Sequence, residues 1–329
     1  MNGKKWNGKG YDTKGNLKFE IKNGKGNIKE YFSSNILKFE GEFLNGEING
    51  KGKEYNSQGD LLFEGEYLNG QKNGKGKEYY NMHGKLLLFE GEYLNGKKWN
   101  GKGYNKKGNL DFEIKNGKGY IKEFNEFSDL IYEGDYLNGQ RNGKGKEYKY
   151  GAKLIYEGEY LNGERNGNGK EYNDYNGKLY FEGEYFNGER NGKGKEYYSD
   201  GKLLFEGEYI KGKKWNGKGY DKEGNIEYTI QNGKGNIKEY SYVDILNFEG
   251  EYLNGKRNGK GKEYYSDGKL LFEGEYIKGK KFNGKEYNLN GELLFDGEYF
   301  NGKMWNGKGK FNFIYVIFVG EILNGKKME

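Results

Sequence analysis

One short peptide recurs along the whole chain, and this repetition constrains the fold more than any single residue does. A clear copy spans residues 205–209 (FEGEY) and is followed, after a loop, by residues 216–219 (NGKG). Full copies begin at Phe39, Phe63, Phe89, Tyr132, Tyr156, Phe181, Phe205, Phe248, Phe272 and Phe295, a worn copy at Phe318, and shortened copies at Phe19, Phe112 and Tyr228. The spacing is mostly 23 to 26 residues and falls to 20 after each shortened copy. Such a period predicts an array in which each repeat packs only against its neighbours.

Residues within each repeat alternate in character, which predicts β-strands. Glycines and aromatic residues fall on one face, and glutamates and lysines fall on the other. In segment 191–198 this alternation places Tyr198 with the glycines and Tyr197 with the lysines, but a β-bulge would exchange them. Asn-Gly and Asp-Gly steps between the strands, as at 187–188 and 200–201, predict hairpin turns. We therefore predict an all-β fold, an elongated single-layer antiparallel β-hairpin array.

The two faces of this predicted sheet have different physical roles. On one face glycine leaves room for a neighbouring aromatic ring to lie over the backbone, and the rings supply buried area. On the other face the repeated glutamates lie opposite lysines, and each such cross-strand pair contributes roughly 0.2–1 kcal/mol. A residue copied in every repeat is therefore expected to be structural.

The repetition also predicts one continuous domain, 1–329, with shortened repeats near 19–38, 112–131 and 228–247 and C-terminal capping strands at 310–329. At roughly 4.8 Å between strands, the array would reach on the order of 130 Å. Among the 329 residues are 60 glycines, no proline and no cysteine. The missing cysteines exclude disulfides, thiol catalysis and cysteine-based metal sites. Net charge is +6 from 56 basic and 50 acidic residues, a near balance that does not indicate nucleic-acid binding.

Two observations bear on localisation. The first residues, 1–6 (MNGKKW), fall within a repeat and contain no apolar signal region. The longest apolar run, 311–319, is about half the length that a membrane-spanning helix needs. We expect a cytoplasmic protein, with association to a membrane or the cytoskeleton as an alternative.

At this point the repeats resemble a known family. Segments 132–145 and 248–261 look like the MORN repeat (membrane occupation and recognition nexus), and the resemblance covers almost the whole chain. The linkers that read KEYYxxGKL resemble the bacterial MORN-like variant often labelled a YwqK-type antitoxin. The resemblance implies a long, curved, single-layer antiparallel sheet with roles in scaffolding, dimerisation or contact with phosphoinositide membranes. It does not imply catalysis.

The chain departs from the repeat pattern at regular places. Each shortened repeat follows a Lys-Lys-Trp loop, at 4–6, 97–99 and 213–215, which makes a higher-order repeat. Residues 192–214 recur identically at 259–281, which indicates duplication within the array.

Residues that could carry out chemistry are few. His83 is the only histidine and lies in a turn without a second ligand, so it predicts no triad and no zinc site. The Gly-x-Gly runs are followed by no helical pattern, which a phosphate loop requires. Glu206 and Glu208 recur in nearly every repeat, which indicates a charge ladder rather than catalytic acids or a calcium site. We predict that the chain is not an enzyme and binds no cofactor and no metal.

Loop residues are the best candidates for contact with a partner or a lipid. Clustered basic residues at hairpin tips could attract anionic lipid, although such tips also discourage sheet aggregation. The tryptophans of these loops could anchor a partner or could pack over the shortened repeat that follows. The candidate contacts are Lys97, Lys98, Trp99, Lys213, Lys214, Trp215, Lys256, Arg257 and Trp305.

The sequence thus favours a non-catalytic protein-binding or scaffolding role. The expected partner is a protein or a second copy of the chain, and neither a nucleic acid nor a small-molecule substrate is expected. Two alternatives stay open: a peripheral binder of anionic, phosphoinositide-containing membranes, and an antitoxin-like protein that masks another protein.

Overall fold

The structure is a computed structural model, and it describes residues 6–11, 15–33, 35–81, 85–312 and 317–327. For residues 311, 312, 317, 318 and 327 only the backbone is described. His83 and part of the predicted capping strands, 313–316 and 328–329, lie outside the described residues. The chain divides into two compact halves, Met1–Glu164 and Arg165–Glu329.

The N-terminal half is built from strands that pair antiparallel with their neighbours in sequence, from β1 to β14. A short 3₁₀ turn, Tyr150–Ala152, precedes the last of them. The strands are β1 Gly8–Tyr11, β2 Leu17–Lys22, β3 Lys25–Tyr31, β4 Leu37–Leu44, β5 Glu47–Tyr55, β6 Leu61–Leu68, β7 Gln71–Tyr79, β8 Leu87–Leu94, β9 Lys97–Tyr104, β10 Leu110–Lys115, β11 Lys118–Phe124, β12 Leu130–Leu137, β13 Gln140–Lys149 and β14 Lys153–Leu161.

The C-terminal half has the same organisation. Strands β15 to β20 pair in sequence order, a bridge joins Gln231 to Lys234, and strands β21 to β29 again pair in order. The strands are β15 Glu164–Tyr172, β16 Leu179–Phe186, β17 Glu189–Tyr197, β18 Leu203–Ile210, β19 Lys213–Tyr220, β20 Ile226–Ile230, β21 Gly235–Tyr240, β22 Leu246–Leu253, β23 Lys256–Tyr264, β24 Leu270–Ile277, β25 Lys280–Tyr287, β26 Leu293–Phe300, β27 Lys303–Asn312, β28 Ile317–Leu323 and β29 Lys326–Lys327. The prediction of an all-β antiparallel hairpin array is confirmed.

The hairpin turns form where the sequence predicted them, because their residues take the left-handed backbone conformation. In the turn between β16 and β17, Asn187 has φ 49° and Gly188 has φ 83°. Both values lie in the left-handed region, which asparagine and glycine enter at least cost. The Asn-Gly step therefore sets where most hairpins reverse, and the Lys-Gly steps at 211–212 and 278–279 take the same conformation in two others.

Aromatic rings and glycines form the core on one face of the sheet. Phe205 is fully buried, and a Cβ on the paired glycines Gly207 or Gly217 would come within 2.8 or 2.5 Å of its ring. The Phe205 ring meets Tyr209 edge-on at 5.7 Å and stacks with Tyr228 at 6.4 Å. Aromatic pairs in such arrangements contribute about 0.5–1.5 kcal/mol beyond their buried area.

The structure settles which tyrosine of the 197–198 pair lies inside. The register shifts between Glu196 and Tyr197, so a bulge is present. Tyr198 is nevertheless the buried residue and donates its hydroxyl hydrogen bond to the Tyr220 carbonyl at 2.8 Å. Tyr197 lies on the opposite, charged face, where its hydroxyl donates to Glu182.

Candidate binding surface

The charged face carries the predicted ladder of opposite charges, which we call the outer ladder. Glutamates of the FEGEY segments lie opposite lysines of the adjacent strands, as in the registers of Lys195 with Glu206 and Glu206 with Lys218. Side-chain nitrogen and oxygen atoms are 3.6 Å apart in the pair Lys77–Glu90. Outer-ladder pairs are half-exposed, with 51% and 41% of these two side chains accessible.

In each half the charged face forms an open groove. The groove of the N-terminal half has a volume of about 890 Å³ and is lined by five lysines and six glutamates. The groove of the C-terminal half measures about 910 Å³. Gly41, Gly52 and Gly65 also line the groove, through their backbone, since a Cβ on any of them would point to the aromatic face. The charges of the lysines and glutamates that line the groove nearly cancel.

The structure corrects the predicted position of half of the basic loop residues. The sequence placed both members of each pair at an exposed tip, but the second member turns under the sheet, onto the aromatic face. These second members are Lys98, Lys214, Arg257 and Lys281, with 16 to 24% of the side chain exposed. The reason is register, since each lies directly opposite a core tyrosine, as Arg257 does opposite Tyr252.

Each inward cation lies over a core ring and binds glutamates, in a second series of charges that we call the inner ladder. Lys214 Nζ lies 4.5 Å from the Phe205 ring centre and 2.7 Å from Glu196. Arg190 bonds both Glu171 and Glu196, at 2.8 and 3.0 Å. The inner ladder comprises Glu54, Lys72, Glu78, Lys98, Glu123, Arg141 and Glu147 in the N-terminal half, and Glu171, Arg190, Glu196, Lys214, Glu239, Arg257, Glu263, Lys281 and Glu286 in the C-terminal half.

The inner ladder holds its carboxylates in the charged form. Burial alone would raise the pKa of Glu196, but the charges of Lys214 and Arg190 outweigh burial and keep that pKa below its ordinary value. Burial likewise opposes the charge on Lys214, but the Glu196 carboxylate raises the pKa of Lys214. These cations are committed to internal ion pairs, so Lys98, Lys214 and Arg257 present little charge to a ligand.

The loop tryptophans pack on the next turn of the array. The Trp99 ring covers Gly117 so closely that a Cβ there would come within 2.6 Å of it, and the Gly117 N–H donates to the Trp99 carbonyl at 2.8 Å. Trp215 covers Gly233 in the same way, at 2.8 Å. Both turns belong to shortened repeats, in line with the packing interpretation of these residues. A Cβ on Gly325 would come within 3.4 Å of the Trp305 ring, and the ring centres of Trp305 and Phe300 are 5.0 Å apart.

The hairpin tips expose a row of apolar residues that sequence reasoning missed. The residue after each FEGEY-type segment is apolar in all ten full repeats, and the tips stack because turn glycines bond the preceding hairpin, as Gly212 N–H does to the Arg190 carbonyl at 2.9 Å. We call the exposed members, which are 40 to 59% accessible, the edge row. They are Leu68, Leu94, Leu137 and Leu161 in the N-terminal half, and Phe186, Ile210, Leu253, Ile277 and Phe300 in the C-terminal half, where Leu323 holds the same position after the worn copy.

First members of the basic loop pairs lie beside the edge row. Lys213 is directly opposite Ile210, and Lys256 is directly opposite Leu253. Lys256 is exposed and Lys213 is half-exposed, as is Lys97 opposite Leu94. In each half the structure therefore places lysines beside apolar side chains at the hairpin tips: Lys97 in the N-terminal half, and Lys213 and Lys256 in the C-terminal half.

A signal for both missed features was present in the sequence. The first member of the loop pair varies between glutamate, glutamine and lysine, whereas the second member is basic in most repeats. A position that is acidic in some repeats and basic in others is typical of a solvent-exposed side chain. A position that is basic in most repeats indicates that its side chain pairs with a fixed acidic partner. Likewise, ten apolar residues at one loop position indicate a shared role.

The described residues contain no group of histidine, aspartate and glutamate side chains arranged to hold a metal ion. No helix within the same ranges is long and apolar enough to cross a membrane.

Comparison with known proteins agrees with the repeat architecture. The family model described as "MORN repeat" matches residues 39–61, 63–85, 132–150, 156–176, 181–202 and 248–269. No curated protein matches the chain. One similar solved structure is that of TcdB2-TccC3 without its hypervariable C-terminal region, at 10% identity and a TM-score of 0.17. The alignment covers 92% of this chain but only 18% of that one, and so weak a likeness carries no argument. Six repeats of this antiparallel array of hairpins are thus MORN repeats.

Proposed function

We propose that this chain is a non-catalytic scaffold that binds another protein along its hairpin tips. The observation that supports the proposal is the edge row. About a third of the residues of this chain are charged, and yet one loop position is apolar in every full repeat and exposed in nearly all of them. Contiguous exposed apolar side chains on a soluble surface mark sites of interaction. Stacked repeats spread such a site over many hairpins.

The inner ladder accounts for why the tips, rather than the aromatic face, are the proposed surface. The core rings are already covered, since Phe205, Phe248 and Phe272 have no exposed area. Their faces are occupied by Lys214, Arg257 and Lys281. A partner would therefore meet the edge row and the lysines that flank it.

An anionic membrane is the second candidate for the same edge. Exposed Lys211 and Lys278 lie in the turns next to Ile210 and Ile277, and each lysine near a lipid surface contributes about 1 kcal/mol. The inward position of Lys214 and Lys281 removes two of the charges that such binding would use. We therefore expect weak liposome binding that disappears near physiological salt, where exposed charges are screened within about 8 Å.

The test compares two triple variants of the full chain. Ile210→Ser, Leu253→Ser and Ile277→Ser remove apolar area from the edge row, whereas Ile226→Ser, Val243→Ser and Leu293→Ser remove similarly exposed residues outside it. Affinity capture from native lysate with mass spectrometry should retain specific proteins on the wild type and the second variant, but not on the first. Flotation of liposomes that contain phosphatidylserine and a phosphoinositide runs in parallel. Tight flotation at physiological salt would favour the membrane, and equal capture by both variants would refute a role for the edge row.

A further inference from the structure

Most hairpin turns are tied to the hairpin before them by one hydrogen bond. In each, the N–H of the turn glycine donates to a backbone carbonyl of the preceding hairpin, at 2.7 to 3.2 Å. The donors are Gly24, Gly46, Gly70, Gly96, Gly117, Gly139, Gly163, Gly188, Gly212, Gly233, Gly255, Gly279 and Gly325. Over the stretch that the structure describes, the turn glycine Gly302 is the exception, and its N–H has no protein acceptor.

The exception has a local cause in β25. In β23, the five residues 257–261 lie opposite the three residues Gly250–Tyr252 of β22. In β25, only the four residues 281–284 lie opposite the equivalent segment Gly274–Tyr276 of β24. β25 thus lacks one residue of the bulge, and a bulge is what bends a strand. Strands β9 and β19 share this shorter form, but the turns after them belong to shortened repeats and bond Trp99 or Trp215. The hairpin after β25 is a full repeat, and the N–H of its turn glycine, Gly302, is not bonded to a carbonyl of the preceding hairpin.

We propose that Asn301 is the preferred site of spontaneous deamidation among the Asn-Gly hairpin turns that the structure describes. The Gly302 backbone nitrogen attacks the side-chain amide carbon of Asn301, a carbon–nitrogen bond forms, and ammonia leaves as the old amide bond breaks. Water then opens the resulting succinimide and leaves aspartate or isoaspartate. Overall, one amide and one water are converted to one carboxylate and one ammonium ion. Hydroxide is the base that removes the proton from the Gly302 backbone nitrogen.

Hydrogen bonding decides which Asn-Gly step can react. The attacking nitrogen must lose its proton, and a proton held by a carbonyl is harder to remove. Gly302 is exposed and its N–H is unbonded, whereas Gly188 N–H donates to the Arg165 carbonyl at 2.9 Å. Reaction also requires the turn to leave its left-handed conformation, and a turn without a bond to its neighbour opens at lower cost.

A neighbouring cation adds to the reactivity of Asn301. Lys280 Nζ donates to Asn301 Oδ1 at 3.1 Å. The ammonium withdraws electron density from the amide carbon and stabilises the oxyanion that develops on Oδ1 during attack. Lys280 is a positioning residue here.

The chain supplies a matched control for the local sequence. Asn187 lies in the same tripeptide, Phe-Asn-Gly, in a turn of the same conformation, with φ 49° against 53° at Asn301. The preceding residues Phe186 and Phe300 are similarly exposed, at 59 and 57%. Intrinsic rates set by the flanking sequence are therefore alike, and a difference between the two sites reports the hydrogen bond and Lys280.

Deamidation would change the surface where it occurs. A carboxylate at residue 301 would lie beside Phe300 of the edge row and Lys280, and would offset the positive charge of Lys280 at that tip. The inference does not depend on what the edge row binds.

The experiment is peptide mapping of the native full chain during incubation in mildly alkaline buffer. Asn301 should deamidate about tenfold faster than Asn187, the factor expected for one hydrogen bond. In denaturant the two rates should become equal, which shows that the fold causes the difference. Equal rates in the native chain, or faster reaction at Asn187, would overturn the proposal. Lys280→Gln should slow the deamidation of Asn301 and leave that of Asn187 unchanged. If the rate at Asn301 does not change, Lys280 has no part in the reaction.

Discussion

The inner and outer ladders use the same kinds of side chain on opposite faces of one sheet, but they differ in exposure. In the outer pair Lys77–Glu90 about half of each side chain is exposed, at 51 and 41%. In the inner pair Lys214–Glu196 the values are 16 and 8%. The comparison teaches that burial, rather than the number of ion pairs, decides what a charge ladder does. An exposed pair contributes little, whereas a buried charge depends on its partner.

The largest difference is expected when one carboxylate is neutralised on each face. Glu196→Gln leaves Lys214 and Arg190 buried beside an uncharged amide and should destabilise the repeat by about 3–5 kcal/mol. Glu206→Gln, on the outer ladder, should cost less than about 1 kcal/mol. Hydrogen exchange should show protection lost around residues 181–250 in the first variant only, because stability in arrays sums over neighbours. Equal effects, or a loss spread uniformly along the chain, would contradict the comparison.

Acid should destabilise the protein mainly through the inner ladder. Burial opposes ionisation, but neighbouring cations keep the pKa values of Glu78, Glu123, Glu171 and Glu196 below the ordinary value. A carboxyl whose folded pKa is lowered stabilises the fold fully above its unfolded pKa, about 4.3, and this contribution is lost as pH falls through the folded pKa. Urea midpoints should therefore fall steeply below about pH 4. Glu196→Gln should make the urea midpoint depend less on pH in this range. If the slope of midpoint against pH stays the same, Glu196 is not a source of the acid sensitivity.

A smaller difference between the two ladders is expected in how salt changes the coupling energy of their ion pairs. A double-mutant cycle on Lys77 and Glu90 should give a coupling of about 0.2–1 kcal/mol that disappears at about 1 M salt, where screening acts within about 3 Å. The same cycle on Arg190 and Glu171, 2.8 Å apart and mostly buried, should keep its coupling. Salt-sensitive coupling in both cycles would mean that water reaches the inner ladder.

The smallest effect should appear at alkaline pH, on the outer ladder. Burial, and then the hydrogen bond to Glu182, raise the pKa of Tyr197 to about 12. A group whose folded pKa is raised stabilises the fold below its unfolded pKa, about 10, and that contribution is lost as pH rises toward 12. Tyrosine absorbance should show a late-titrating component that decreases in Tyr197→Phe. Glu182→Gln should shift this component to lower pH, and a component unaffected by either change would belong to other tyrosines.

The sequence predicted the outer ladder but not the inner one, for a physical reason. Alternation with a period of two assigns strand residues to faces, which is why Glu206 and Lys195 were placed correctly. Lys214 and Arg257 lie in segments that the sequence indicated as loop, but strands β19 and β23 include them, and the register sets each one opposite a core tyrosine. The Asn-Gly turns were predictable because few other residues enter the left-handed region. The edge row could be read only once stacking of the tips was known.

Strands that pair only with their sequence neighbours also determine how each half would respond to mechanical force. A pull along the chain enters the outermost hairpin and loads its hydrogen bonds one at a time, as in opening a zipper, rather than all together. Each repeat of about 24 residues would release on the order of 80 Å of chain as it peels away. The inner ladder and the tip bonds would set the force of each step, since both join one hairpin to the next. Such a chain would lengthen in small, reversible increments under load, as an extensible tether does.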